Sequence, residues 1–306
     1  ILSEIISAHL TPLKTTTSRH DMACAIRSVI RRVSAYMKMC ETFVDGRHGR
    51  FQYLPNDTWI GASLSKYGEF SELETAFLLR LCRPGHVVVE VGAHIGTQSV
   101  PLARHLTKRG ALHVFEPQPE LCRLLRTNLA NAGLENVTIY DLAAGESTSQ
   151  LHLPEIDYTT QGNFGGVALS EKAAGLAVRQ VRLDDLLDLK ALHLMKIDAE
   201  GMELDVLKGA DALIRQHRPL MSVENDRRDR SADLIEHLFS LDYRLMWSTP
   251  PLFNPDNYFG EAEDIFPGIV SINMLCVPAE RFSGAIGDGE IKTPQDRPWP
   301  REDDDQ

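Results

Sequence analysis

The stretch Glu90-Val91-Gly92-Ala93-His94-Ile95-Gly96-Thr97 closes an apolar run at 86–91 and opens a helical pattern at 96–108. A glycine turn between a strand and a helix lets a ligand approach the backbone and meet helix N–H groups. A dinucleotide fingerprint needs further glycines two and five residues beyond the first. His94 and Thr97 stand there instead, which argues against an NAD(P)-linked sugar-modifying enzyme. Glu116, followed by Pro117, ends the next apolar run. A carboxylate about 20 residues beyond such a turn accepts hydrogen bonds from ribose hydroxyls. With Glu90, this spacing fits a nucleoside ligand without a pyrophosphate, such as S-adenosylmethionine.

Acids close two further apolar runs: Asp198 with Glu200, then Glu224 with Asn225 and Asp226. Ligands of open α/β sheets lie beyond the carboxyl ends of the strands. Asp198, Glu224 and Asn225 are therefore the candidate catalytic residues. Methyl transfer to an alcohol requires the hydroxyl to be aligned and deprotonated. Asp198 or Glu224 would act as the base or orient the acceptor. Alternatively, Asp198, Glu224 and Asn225 would hold a divalent cation, an oxygen-only set that suits Mg²⁺ and resembles the metal site of catechol O-methyltransferase. Lys196 lies on the same strand face as Asp198, and an ion pair between them would cost Asp198 basicity. Asp198-Ala199-Glu200-Gly201 is not the N/D-P-P-aromatic motif of base- and amide-directed enzymes.

Strand patterns fall at 86–91, 111–116, 137–142, 193–198, 219–224, 242–247 and 270–277. Helical patterns fall at 96–108, 118–132, 200–216 and 230–240. Nearly continuous apolar strands alternating with helices predict a mostly parallel sheet covered on both faces. Ser71-Glu72-Leu73-Glu74 reads as a capping box opening a helix to about Cys82. Residues 20–40 read as an amphipathic helix, a plausible dimer element, and the turn signals over 43–60 suggest a hairpin. A long excursion, 145–190, carries weak strand signals at 149–153 and 178–183. It and the loop 249–268 are the expected sources of acceptor specificity. Asn254, Asn257 and Tyr258, and on the other side Tyr67-Gly68-Glu69-Phe70, are candidate lid segments. This divides the chain into an extension (1–60), a main domain (61–280) and an extended or mobile tail (281–306).

The 306 residues carry 32 Lys+Arg and 43 Asp+Glu, a net charge of −11, which argues against a nucleic-acid partner. The first fifty residues are net basic, so the acidity lies in the remainder. Five cysteines, Cys24, Cys40, Cys82, Cys122 and Cys276, show no C-x-x-C spacing. They predict free thiols in a reducing cytoplasm. No apolar run reaches the length of a membrane span.

Several motifs together resemble the FkbM-type methyltransferases: Glu90 to Gly96, Phe115-Glu116-Pro117, Leu183-Asp184-Asp185, and Lys196-Ile197-Asp198-Ala199-Glu200-Gly201-Met202-Glu203. Val206 to Ala210 and Arg218-Pro219 also match. The resemblance spans about 55–280, and the K-I-D-x-E-G-x-E stretch is its most specific part. It implies a Rossmann-like class I sheet of about seven strands, the last antiparallel, and S-adenosylmethionine as cofactor. It also implies O-methylation of a sugar, glycolipid or natural-product hydroxyl. Glu90, Gly92, Gly96 and Thr97 would line the methionine and ribose side, and Glu116 would bind the ribose. Leu142 and Ala143 would lie near the adenine edge. His94, where members usually carry Asn, would contact the cofactor or stay solvated.

Overall fold

In the computed structural model, residues 42–172, 174–282 and 289–298 are described. The predicted helix at 20–40 lies outside them, as do Cys24 and Cys40. The chain opens with a hairpin, β1 (Phe43–Gly46) and β2 (Gly49–Gln52), then α1 (Ile60–Tyr67) and α2 (Glu72–Leu81). Alternation follows: β3 (Val87–Val91), α3 (Ser99–Leu106), β4 (Ala111–Phe115), α4 (Pro119–Asn131) and β5 (Val137–Tyr140). Next come β6 (Ala143–Ala144) and, within the excursion, β7 (Ser149–Leu153), β8 (Leu176–Val181) and α5 (Leu183–Leu186). The second half comprises β9 (Leu194–Ile197), α6 (Glu203–Gly209), α7 (Asp211–His217), β10 (Leu220–Glu224), α8 (Ser231–Ser240), β11 (Tyr243–Ser248), β12 (Asn273–Pro278) and β13 (Glu290–Ile291).

The main sheet runs β13-β11-β12-β10-β9-β3-β4-β5. Strands β5, β4, β3, β9 and β10 pair in parallel, and β12 is antiparallel to both β10 and β11. All seven predicted strands form, with the antiparallel one inserted between β10 and β11. An eighth, two-residue strand, β13, comes from the segment expected to be an extended or mobile tail, and it pairs with β11. The strand signals at 149–153 and 178–183 form β7 and β8, which join β6, just before the excursion, in a separate small sheet, β6-β8-β7.

Successive side chains of a strand point to opposite faces, so neighbours in β3 build different cores. Val89 and Val91 join Ile197, Val223 and Leu234 on one side. Val88 joins Leu102, Leu112 and Leu125 on the other, together with Phe51, Tyr53 and Leu54 that follow from the hairpin. The hairpin is thus part of the main core. Asn128 of α4 fixes it: its Oδ1 accepts from Gln52 N at 2.6 Å, and its Nδ2 donates to Gln52 O and Ile95 O. One buried amide therefore ties the hairpin to the glycine turn.

Three local expectations change. Pro55-Asn56-Asp57 starts a helix rather than a hairpin turn, because Asp57 Oδ1 accepts from the N–H groups of Trp59, Ile60 and Gly61. Ser71 adopts φ 46° and donates its hydroxyl to Glu74, so it does not cap the helix N–H groups. The helix predicted over 200–216 breaks at Gly209-Ala210. A side chain at Gly209 would meet Gly145 O at 2.0 Å, so the end of α6 packs directly on the backbone after β6. Asp184 then receives the Ala212 and Leu213 N–H groups that open α7, which gives Leu183-Asp184-Asp185 a structural role.

Among the described residues, no helix is long and apolar enough to cross a membrane. Cys82, Cys122 and Cys276 are buried free thiols.

Candidate active site

Strands β3, β4, β9 and β10 end on the same side of the sheet, and residues at or next to those ends face one cavity of about 430 Å³. Its wall includes Glu90, Gly92, His94, Thr97, Glu116 and Asp198. Glu200, Glu224 and Asp226, with Arg227 paired to two of them, complete its charged side, while Trp59, Phe70, Leu252, Ile269 and Val270 form an apolar side. A slot of about 60 Å³ adjoins it and shares Gly92, Glu116 and Asp198. Phe115, Pro117, Leu142, Ala143, Val167 and Met202 line the slot.

The turn after β3 is held from both sides. Gly92 has φ 84°, and a Cβ there would lie 1.8 Å from Asp198 O, so the turn rests directly on the end of β9. Gly96 has φ 88° and packs against Leu125, and it lines neither space. Glu116 accepts from the backbone N–H groups of His94 and Gln118, each at 2.9 Å. Burial pushes its carboxyl up to about 7, against the pull of those two donors. Glu90 accepts from Ser99 Oγ at 2.6 Å, and burial also raises it to about 7.

The turn after β9 is built by Glu203, whose Oε1 accepts from Ala199 N and Gly201 N. That wrapping holds Glu200 at φ 52° and Gly201 at φ 92°, which explains why this stretch is specific in sequence. Asp198, Glu200 and Glu224 each place one oxygen within 4.8 Å of the others. Two of the three already hold a cation: Lys196 is 2.9 Å from Asp198, and Arg227 is 2.7 Å from Glu200. Burial alone would lower Lys196, but Asp198, Glu74 and Glu90 hold its ammonium above the ordinary range. Glu224 has no such partner, and its Oε2 is buried without a hydrogen bond. Burial, then Asp198, Asp226 and Glu200, push its carboxyl well above the usual range. Glu200 rises to about 7 for the same reasons.

Asn225 is not in this group. Its amide donates to Met274 Sδ, and its side chain lines neither space. Of the alternative metal set Asp198, Glu224 and Asn225, the first two are brought together and Asn225 is turned away. Glu200 occupies the third place.

Asn254 and Asn257 are not cavity residues either. Asn254 bonds Glu69, and Asn257 bonds the backbone of Asn254 and Glu261. They brace the loop, whose Leu252, Ile269 and Val270 face the cavity. Tyr258 is half exposed outside it. Of the other lid candidate, Phe70 reaches the wall, while Glu69 ties the loop to Arg47 and Tyr258. The excursion lines the slot through Gly165, Val167 and Leu169 and the cavity through Asn163, Gly165 and Gly166, so it reaches both spaces. Asp57, Glu74 and Arg227 are wall residues that sequence spacing did not mark.

A carboxyl whose folded value lies above its unfolded value stabilises the fold at low pH, and that contribution disappears as pH rises through the folded value. Glu224 is such a group. Glu224→Gln is expected to raise the melting temperature at pH 8 and leave it unchanged at pH 4. Equal melting curves at both values would contradict the burial described here.

Comparison with known proteins follows the same lines. The family model described as the methyltransferase FkbM domain matches residues 90–245. No curated protein sequence matches the chain significantly. Among solved structures, the FkbM methyltransferase of Methylobacillus flagellatus is 17% identical, with a TM-score of 0.44. The match covers 82% of this chain and 60% of that one, so this chain spans under two thirds of its length. A precorrin-6y C5,15-methyltransferase from Geobacter metallireducens is 15% identical, covering 66% of this chain and 86% of that one at a TM-score of 0.40. A SAM-dependent O-methyltransferase from Thermotoga maritima is 13% identical, covering 69% and 67% at 0.40. The matched family stretch is about half the chain and runs from the glycine turn through the β10 acids, and on it the chain belongs to the FkbM methyltransferase domain family.

Proposed function

We propose that the protein is an S-adenosylmethionine-dependent O-methyltransferase whose acceptor is a hydroxyl on a sugar, glycolipid or natural product. One observation carries this reading: a single cavity joins Glu116 at the end of β4 to the acids at the ends of β9 and β10. The residues fit the cofactor. Glu116 is fixed by two backbone donors and has lone pairs left for a ribose diol. The slot beside it has the apolar walls of Phe115, Leu142 and Ala143 that an adenine ring needs. The acids around Glu90 and Asp198 suit a positive charge. When bound, S-adenosylmethionine supplies a methyl group on a sulfonium, ready for in-line displacement.

The protein's part is placement. Asp198 and Glu224 face the cavity from adjacent strand ends, where they hold an acceptor hydroxyl by hydrogen bonds. Orientation of this kind removes much of the entropic barrier to reaction. The apolar wall of Leu252, Ile269 and Val270 shields that end from water. Because two of the three clustered carboxylates are ion-paired, no step is assigned to a metal.

Transfer of labelled methyl to a pool of sugars and glycolipids tests the reading. Exhaustive EDTA treatment is expected to leave that transfer unchanged. Loss of activity restored by Mg²⁺ would favour the metal-dependent alternative.

A further inference from the structure

Three buried polar atoms without hydrogen-bond partners meet on one side of the cavity: Asp57 Oδ2 and both ring nitrogens of His94. His94 Nε2 lies 3.8 Å from Asp57 Oδ2, an ion-pair separation about 1 Å longer than a hydrogen bond. Buried polar atoms are almost always satisfied, so three orphans in one place need an explanation. Both partners are anchored by backbone contacts. Asp57 cannot turn, because Oδ1 accepts from Trp59 N at 2.8 Å and Ile60 N at 2.7 Å. His94 is held in a left-handed conformation, φ 50°, with its N–H on Glu116. Small ring movements alone would close the gap.

We propose that Asp57 and His94 form a carboxylate–imidazole pair that removes the proton of the acceptor hydroxyl, with His94 as proton acceptor and Asp57 as positioning residue. This rests on the methyltransferase reading above. As the acceptor oxygen bonds to the methyl carbon, the carbon–sulfur pair returns to sulfur. The hydroxyl proton passes to a ring nitrogen of His94, and Asp57 balances the imidazolium until the proton leaves to solvent. Catalytic hydrogen bonds are often long in unliganded sites and tighten when the complex forms.

The other groups facing this space are less suited to the task. Asp198 is already bonded to Lys196, and Glu200 to Arg227. Burial and neighbouring acids favour the protonated form of Glu224. Glu90 and Glu116 are engaged by Ser99 and by backbone donors, and Glu74 by Ser71 and Ser271. Burial lowers His94, opposed by Asp57 and Asp198 and assisted by Lys196, so its lone pair is free at neutral pH. Asp57 precedes the stretch matched by the family model, and His94 lies within it.

The test is nitrogen NMR of ¹⁵N-histidine-labelled protein, with His94→Asn identifying the resonance. Asp57→Asn keeps a carbonyl oxygen to cap α1 but removes the charge. Its His94 titration midpoint is expected to fall by about one pH unit or more. An unchanged midpoint would overturn the pair. In single-turnover transfer, the rising limb of the pH–rate profile should follow the wild-type midpoint. His94→Asn should lose that limb and slow transfer by about 10²–10⁴-fold, while S-adenosylhomocysteine affinity stays within about threefold. A His94→Asn enzyme with the wild-type rate and profile would overturn the role. Failure of the wild-type protein to bind S-adenosylhomocysteine would instead sink the cofactor reading, leaving the midpoint shift intact.

Discussion

Glu116→Ala is expected to lower the affinity for S-adenosylhomocysteine by about 10²–10⁴-fold, the loss of two charge-assisted hydrogen bonds to a diol. The substitution also frees the N–H groups of His94 and Gln118 that the carboxylate now satisfies. The losses act at the turn between β3 and α3 and at the turn between β4 and α4, so cofactor affinity should fall with little change in the distant core. Isothermal titration calorimetry measures the first effect, and a denaturant midpoint measures the second. An affinity within threefold of wild type would show that Glu116 only braces the turn. Glu116→Gln is the finer probe. Its amide retains one acceptor but presents an N–H donor towards one of the two backbone donors, so it should still lose binding.

The second large effect is on turnover. Asp198→Asn and Glu224→Gln should each slow methyl transfer by about 10²–10³-fold, within the range removed with a hydroxyl-orienting or proton-handling group. S-adenosylhomocysteine affinity should change by no more than about threefold. The two variants differ in what they leave behind. Asp198→Asn removes the negative charge 2.9 Å from Lys196 inside the protein, so some stability is lost with the activity. Glu224→Gln removes a carboxyl that burial already disfavours as an anion, so stability is kept or gained. Wild-type turnover in both variants would remove the acids from the reaction.

The parts legible in sequence were those fixed by local pattern. Apolar runs such as Val87-Val88-Val89 located every strand of the seven, since a strand buried on both faces can hardly be anything else. Gly92, Glu116 and Asp198 were legible because strand ends gather at one edge of an open sheet. The parts that failed depend on contacts distant in sequence. Nothing near Asn225 indicates that its amide turns to Met274 rather than into the cavity. Gly209 is matched to Gly145, far upstream, whose carbonyl leaves no room for a side chain. Asp57 looks like a turn residue until Oδ1 is seen capping α1 and Oδ2 facing His94. The tail segment supplies β13 only because β11 offers it an edge.

Calorimetric titration of the purified protein with S-adenosylhomocysteine, alongside NAD, is the most direct measurement of the central claim. Saturable binding of S-adenosylhomocysteine at one site per chain, with no heat from NAD, is the predicted result. Binding of NAD, or no binding of S-adenosylhomocysteine, would contradict a nucleoside site built on Glu116 and the turn from Gly92 to Thr97.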